Sequence, residues 1–261
     1  MPLPCPGPAQ ISLVDIQNEF GGSNPIGLNE YYRNGGLVPS NNTSVPTSGA
    51  ISLGDFFCAN LPPIGAAFQG GFFAGVISYT ANSVATHALI VAPSATGYNG
   101  KSILDWKTTP TFTTGTDSPF DGALNSANMN NATHPAAQYC EGLTIDGYSD
   151  WYLPARYEID IAYQNLKPTT ANNSTTYGIN PYSVPERTTN RTAGVPAQTS
   201  VAIFKSGGAE AFVAANHWSS TDDTAGLGSA FAWILHFGFG TGSEEYKDDG
   251  FLVRAFRRVA L

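Results

Sequence analysis

Charged residues are scarce in this chain: Asp, Glu, Lys and Arg make up 12% of its 261 residues, and the formal net charge is −8. Attraction to phosphate needs clustered lysine and arginine, so this balance argues against nucleic acid or anionic lipid as a partner. Arg254, Arg257 and Arg258 form the one tight basic group. Beside an excess of acids, that group indicates solvated or paired side chains rather than a nucleic-acid patch.

Long apolar runs and paired cysteines are also lacking. No run reaches the roughly 20 residues that span a bilayer, and the start, MPLPCPGPAQ, has no basic segment followed by an apolar one. We therefore expect a soluble protein without membrane insertion or a signal peptide.

Cys5, Cys58 and Cys140 form no CxxC pair. They are expected to be buried thiols rather than zinc ligands, with a Cys5–Cys58 disulfide as the alternative.

The chain is instead rich in apolar and turn-forming residues. Hydrophobic residues make up 42% of it, and it contains 28 Gly and 18 Pro. This composition supports a full hydrophobic core and favours short strands joined by many turns over long charged helices.

Three related strings, ISLVDI, IGLNEY and ISLGDF, stand near the start of the chain. In each, Ser12, Gly27 or Ser52 occupies the N-cap position, and an acidic residue follows three positions later. That spacing is a capping box or a close relative of one, and it predicts three short helical turns. Their apolar residues are Ile11, Leu13, Ile16, Phe20, Ile26, Leu28, Tyr31, Ile51, Leu53 and Phe56.

A segment of about sixty residues is marginal by itself, so residues 1–64 are expected to dock onto something. The strings ISLVDIQNEFGG, IGLNEYYRNGG and VPTSGAISLGDFF resemble a segment that recurs in bacteriophage tail-fibre and tail-tip proteins. The resemblance implies a place in the virion and an anchor to other tail proteins. The alternative is a helical lead-in that packs on its own globular domain.

Residues 65–261 are predicted to form one globular domain. Aromatic and β-branched patterns predict strands at 67–79, 86–92, 217–221, 230–237 and 251–259. The last three are expected to form one antiparallel sheet, with the acidic run 238–250 as an exposed hairpin tip. Helices are predicted at 123–130, from Pro135 through Cys140, and after Asp150, where Pro154 fits an early helical position and Pro168 stops the helix.

Four strings in this domain carry a second resemblance: GGFF at 70–73, GYSDWYLP at 147–154 with Glu158, WSS at 218–220 and VRAFR at 253–257. They resemble the domain of unknown function that ends the Lcl collagen-like adhesins of bacteria. The resemblance implies an α+β, C-type-lectin-like domain with two helices, a small antiparallel sheet and long loops. Related variable proteins of phages bind ligands through the exposed C-terminal sheet and its loops.

One position departs from that family. Its members tend to carry Ser or Thr after the Leu-Pro pair, where the hydroxyl caps a helix, and this chain has Ala155. The missing cap is expected to cost about 1 kcal/mol and to leave the fold intact.

Tryptophans and histidines are interpreted as structural. Aromatic rings in fold-defining strings usually fill the core, so the predicted core residues are Trp151, Leu153, Pro154, Trp218 and Trp233. His217 and His236 flank strands without a second ligand at metal-binding spacing, so no metal is expected.

No cofactor and no catalytic residue are expected. Asp222 and Asp223 could offer oxygens to calcium, but calcium wants six or more ligands and this pair supplies two, so calcium is the weaker alternative. Cys140 has no second cysteine to act with it, and no pairing of nucleophile and base can be read from the sequence. An enzyme is therefore not expected.

Polar and aromatic residues near the terminal sheet are the better binding candidates, because tyrosine offers contact area and a hydrogen bond at small entropic cost. They are expected to be exposed, and for each the alternative is plain loop surface. These candidates are Asn216, Asp222, Asp223, Phe239, Tyr246, Lys247 and Asp249.

The leading hypothesis is a virion protein, made in the host cytoplasm, that acts as a tail-fibre or tail-tip adhesin for a host surface glycan or protein. Because tail fibres are usually trimeric, we expect a homotrimer in which repetition strengthens weak single sites. The alternative is a purely architectural virion component, such as a baseplate, collar or capsid decoration. A third hypothesis, an enzyme acting on the host envelope, lacks a motif of clustered carboxylates.

Overall fold

The structure is a computed structural model of the chain. It describes residues 11–22, 24–39, 42, 45–56, 61–99, 102–223 and 228–261. The predicted alternative of a Cys5–Cys58 disulfide lies outside the described residues.

Helices are few and short. The α-helices are α1 (Leu13–Phe20), α2 (Ser94–Gly97), α3 (Gly122–Ala127), α4 (Pro135–Glu141) and α5 (Arg156–Leu166), and 3₁₀ helices cover Leu28–Glu30, Leu53–Phe56 and Ala202–Phe204. Among the described residues, no helix is long and apolar enough to cross a membrane.

The strands form antiparallel sheets, so the fold is α+β. The strands are β1 (Ala67–Phe68), β2 (Gly71–Ile77), β3 (His87–Val91), β4 (Leu104–Asp105), β5 (Asn216–Asp222), β6 (Phe231–His236), β7 (Thr241–Tyr246), β8 (Gly250–Phe251) and β9 (Phe256–Ala260). They pair in the orders β1-β2-β3-β9, β4-β8 and β5-β6-β7.

The prediction of one sheet from the last three strand patterns is wrong. β5 and β6 do pair, but the third strand of their sheet is β7, which lies inside the run predicted as a hairpin tip. The carboxylates of Glu244 and Glu245 are tolerated there because β7 is an edge strand and both residues are only half-buried. β9 instead pairs with β3, from Phe256 opposite Val91 to Ala260 opposite His87.

The predicted helices are present near their expected positions. α3, α4 and α5 match the three predictions, and α5 ends at Leu166, just before Pro168. Pro154 lies outside α5, not in its first turn, because Ala155 is the N-cap. Ala155 makes no side-chain cap bond, but its N–H donates to the carboxylate of Glu158 at 2.8 Å.

The three capped turns near the start are confirmed. Ser12 Oγ accepts the N–H of Asp15 at 3.2 Å, and the Asp15 carboxylate accepts the N–H of Ser12 at 2.7 Å. Glu30 accepts from the N–H of Gly27 at 3.2 Å, and Asp55 accepts from the N–H of Ser52 at 2.7 Å. Each carboxylate satisfies a backbone donor that the start of a helix leaves unpaired.

The capped turns share a small hydrophobic core of their own. Its buried members are Ile11, Ile16, Phe20, Tyr31, Val38, Val45 and Phe56, and Ile26, Leu28, Leu37 and Ile51 pack against it. Leu13 is half-buried, and Leu53 is 37% exposed. The segment therefore buries a core while leaving part of its apolar surface open.

This segment also contacts the rest of the chain. The N–H of Leu61 donates to the Glu19 carboxylate at 2.8 Å. Gly21, which ends α1 with φ +75°, lies so close to the end of β9 that a Cβ atom there would overlap the carbonyl oxygen of Ala260. The hydroxyl of Tyr31 donates to the Gly21 carbonyl at 2.7 Å and holds that turn in place.

Two further hydrophobic clusters form the core of the larger part. Trp151, Leu153 and Trp218 are 0% exposed in one of them, and Pro154 is buried beside them. Trp233 departs from the prediction of a core residue, since it is only half-buried. The Trp233 side chain points to the face of β6 opposite to that of Ala232 and Ile234, whose side chains enter the core.

A buried charge cluster ties α5 to the long segment that follows it. The Asp160 carboxylate pairs with both Arg187 and Arg191, and the side chains of Asp160 and Arg191 are fully buried. Each partner neutralises a charge that would be costly to bury alone.

Replacing Asp160 tests this cluster. Asp160→Asn should lower the free energy of unfolding by about 3–5 kcal/mol, because it leaves Arg187 and Arg191 without a negative partner. Asp117→Asn, the control, changes an exposed carboxylate that forms no ion pair among the described residues, and should cost about 0–0.5 kcal/mol. Urea unfolding measures both losses, and equal losses would contradict the account.

The packing of Gly21 on β9 is testable by hydrogen exchange. Gly21→Ala should speed amide exchange in Phe256–Ala260, because the added methyl pushes α1 away from the strand. Gly49→Ala is the control, since Gly49 also has a positive φ of +86° but nothing within 4 Å of the added atom. Unchanged amide exchange in β9 of the Gly21 variant would contradict the contact between α1 and β9.

Candidate functional site

The expectation of exposure is wrong for three of the candidate binding residues. Asp222, Asp223 and Lys247 are only 2%, 3% and 0% exposed. Lys247 Nζ lies 2.7 Å from Asp222 Oδ1 and donates to the carbonyl oxygens of Thr111 and Ser229 at 3.0 and 2.7 Å. These charges are buried because they neutralise each other and tie loops to the sheet.

The ion pair between Asp222 and Lys247 affects the possible calcium site at Asp222 and Asp223. The Lys247 ammonium group already neutralises Asp222, whose second oxygen accepts from the N–H of Thr113 at 3.3 Å. Across the described ranges, no group of three or more His, Cys, Asp or Glu residues could hold a metal ion.

The remaining candidates separate into two places. Phe239 is 49% exposed and stacks on His236 with ring centroids 4.7 Å apart, and Asn216 and His236 line a cavity of about 290 Å³. Tyr246, at the far end of the β6–β7 pair, is 52% exposed, and Asp249 is exposed in the turn that follows it. The structure does not bring these residues into one site.

Tyr246 belongs to a denser surface on one side of the sheet. Side chains directly opposite each other on paired strands share a face, and Phe231 lies opposite Tyr246 while Trp233 lies opposite Glu244. Arg156 and Tyr177 pack onto these residues from outside the sheet. We call this surface the aromatic face, made of Arg156, Tyr177, Phe231, Trp233, Glu244 and Tyr246.

Its aromatic rings are held in fixed contacts. The rings of Phe231 and Tyr246 lie 4.3 Å apart at an angle of 37°. The Arg156 guanidinium lies over the Trp233 ring, 3.4 Å from its centroid, and Arg156 Nε donates to the Tyr177 hydroxyl at 3.2 Å. Four of these side chains stand on regular elements, which position a binding surface better than loops do, and Tyr177 reaches them from the irregular segment after α5.

Arg156 is placed by the start of α5. It is the first residue of that helix, and its N–H donates to Thr221 Oγ1 on β5 at 3.0 Å, which docks the helix end on the sheet. Its side chain then crosses to Trp233 on the next strand. In the described part of the chain, no carboxylate forms an ion pair with Arg156.

Sequence reasoning missed Arg156, Tyr177 and Phe231, and it assigned Trp233 to the core. The alternation over residues 231–234 carries a signal for two of them, because small or aliphatic Ala232 and Ile234 mark the core side and leave Phe231 and Trp233 on the other, although the pattern ends at the buried Leu235. Nothing local in the sequence marks Arg156, whose neighbours come from distant segments.

His217 and Cys140 are buried in the core. Nδ1–H of His217 donates to the Ala215 carbonyl at 2.9 Å, so Nε2 accepts from the Tyr98 hydroxyl at 2.7 Å. Burial, followed by the nearby charge of Glu141, raises the pKa of the Cys140 thiol, which is free and 0% exposed. Neither group is placed to meet a ligand from solvent.

Comparison of the chain with known protein families finds no family that matches, and no curated protein matches it either.

His217 predicts an acid-sensitive fold. Burial first, and the charge of Arg254 besides, lower its pKa to about 3, against about 6.5 in an unfolded chain. Below a pH of about 6.5, His217 therefore binds a proton in the unfolded chain but stays neutral in the folded chain. The contribution of His217 to the free energy of unfolding is complete above that pH and falls on acidification. We expect its NMR ring signals to stay those of a neutral histidine down to a pH of about 4. Titration near pH 6.5 would contradict this.

Proposed function

We propose that this protein is a bacteriophage virion component, a tail-fibre or tail-tip adhesin whose C-type-lectin-like domain binds a host surface glycan or protein. The aromatic face is the binding surface. The capped N-terminal turns anchor the chain to other tail proteins, and three copies assemble around one axis.

The observation that carries the proposal is the composition of the aromatic face. Tyrosine, tryptophan and arginine dominate the binding energy of protein interfaces, and this face presents all three on one side of a small sheet. Tyr246 is 52% exposed, so its ring and hydroxyl are open to a partner. Its pairing with Phe231 holds both rings in place, so little entropy is lost on binding.

The N-terminal segment supports the anchoring part. Its three turns bury a common core, yet Val14 and Leu53 are 54% and 37% exposed. Open apolar side chains on a segment that already has a core suit contact with a neighbouring virion protein. Repetition in a trimer then raises weak single-site binding through effective concentration.

The alternative, a purely architectural role, uses the same surfaces differently. A neighbouring virion protein would then cover the aromatic face, and no cell surface would bind to it. Binding of the isolated protein to cells separates the two roles.

The test is binding of the fluorescently labelled full chain to a panel of bacterial strains. We expect saturable binding to some strains only, weakened by about tenfold to a hundredfold in the double variant Phe231→Ala, Tyr246→Ala, since each ring is expected to contribute about 1 kcal/mol or more. Val84→Ala, which trims another residue that is 60% exposed, is the control and should bind normally.

Two outcomes would overturn the proposal. Absence of binding to every strain would remove the adhesin role and leave the architectural one. Unchanged binding of a correctly folded double variant, checked by thermal unfolding, would remove the aromatic face as the binding surface.

A further inference from the structure

Arg156 stands apart from the other arginines around it. Arg187, Arg191, Arg254, Arg257 and Arg258 each pair with a carboxylate of the chain. Arg156 has no such partner among the described residues, although it is half-buried. Its side-chain hydrogen bond to the Tyr177 hydroxyl uses Nε alone, which leaves both terminal nitrogens for another acceptor.

The surroundings of Arg156 hold its guanidinium group in one orientation. The Trp233 ring lies 3.4 Å from the guanidinium carbon on one side, and the Tyr177 hydroxyl accepts from Nε at 3.2 Å. A guanidinium group fixed in this way presents two parallel N–H donors, which match the two oxygens of a planar carboxylate. Little side-chain entropy remains to be lost when that acceptor arrives.

A platform for a sugar ring lies beside this cation. Phe231 and Trp233 are two residues apart on β6, which places them about 7 Å apart on the same face. The ring of Tyr246 stacks beside Phe231 and is 52% exposed. A pyranose ring fits that distance, with its apolar face on Phe231 and Tyr246 and an attached carboxylate directed at Arg156.

The charge of the face favours a singly charged group beside Arg156. Glu244 lies on the same face, opposite Trp233, and the chain carries a net charge of −8. At the position of Arg156, a doubly charged phosphate would meet more repulsion from both than a single carboxylate does, and one carboxylate is matched by one arginine.

We propose that the aromatic face binds a carboxylate-bearing sugar, such as a uronic or nonulosonic acid, in a bacterial surface polysaccharide. Arg156 pairs with the carboxylate through its two terminal nitrogens, and Phe231 and Tyr246 hold the sugar ring. This inference rests on the proposed function and names the ligand class of the same site.

The experiment uses the full chain and the polysaccharide extracted from a strain that the protein binds. One portion is left intact, and in a second portion carbodiimide and borohydride reduce the carboxylates to alcohols. Intact polysaccharide should bind the chain and compete with cell binding, and the reduced portion should bind at least tenfold more weakly, because the paired charge is gone.

Variants localise the effect on the protein. Arg156→Gln should weaken binding to the intact polysaccharide by about tenfold to a hundredfold, and Arg156→Lys by a smaller factor, because lysine keeps the charge but loses the paired donors. Lys205→Gln removes one positive charge elsewhere and should leave binding unchanged. Thermal unfolding confirms that the variants are folded.

Two neighbouring glutamates supply a matched pair that leaves Arg156 intact. Glu244→Gln should strengthen binding several-fold, since it removes a negative charge from the binding face. Glu245→Gln makes the same change on the next residue of β7, whose side chain points to the opposite face, and should have no effect.

Results that overturn the carboxylate-bearing sugar as the ligand differ from results that overturn the adhesin role. Cell binding that survives carboxyl reduction of the polysaccharide, or that Arg156→Gln leaves unchanged, overturns this inference while the adhesin role stands. Loss of binding on removal of phosphate from the polysaccharide, or on protease treatment of the cells, overturns it in favour of a phosphorylated or protein ligand. Absence of binding to any strain overturns both proposals.

Discussion

The register between β6 and β7 decides which side chains of the C-terminal sheet share the aromatic face. Six consecutive residue pairs join the two strands, and a slip by one residue would exchange the two faces. Such a slip would turn Ala232 and Ile234, which are 0% and 3% exposed, out of the core and would bury Phe231 and Trp233 instead. Packing of the small and aliphatic residues on the core side therefore fixes the position of the aromatic face on the other side.

Buried ion pairs complete this arrangement. Lys247, the residue after Tyr246, is held inside by Asp222 and by carbonyl oxygens of neighbouring loops. Since successive residues of an extended chain point in opposite directions, the buried Lys247 favours an outward Tyr246. Arg156 contrasts with this pair, because among the described residues no carboxylate forms an ion pair with it.

Local signals in the sequence predicted much of the fold. The capping Ser12 and its acidic partner predict α1, and aromatic and β-branched runs predict β5 and β6. β7 was missed because TGSEEY has no apolar alternation, which an edge strand does not require. The site was predicted less well. The burial of Lys247 depends on Asp222, and the open position of Arg156 depends on aromatic rings from other segments, so both follow from the folded chain rather than from local pattern.

Radical footprinting of the full chain reports whether the proposed binding surface, the aromatic face, is covered when the protein binds a cell. Oxidation of aromatic side chains is compared between the free protein and the protein bound to a strain that it recognises. We expect Phe231 and Tyr246 to become protected on binding, while Phe112, which is 52% exposed on a separate loop, is oxidised equally in both states. Protection elsewhere, with Tyr246 oxidised as in the free protein, would contradict this expectation.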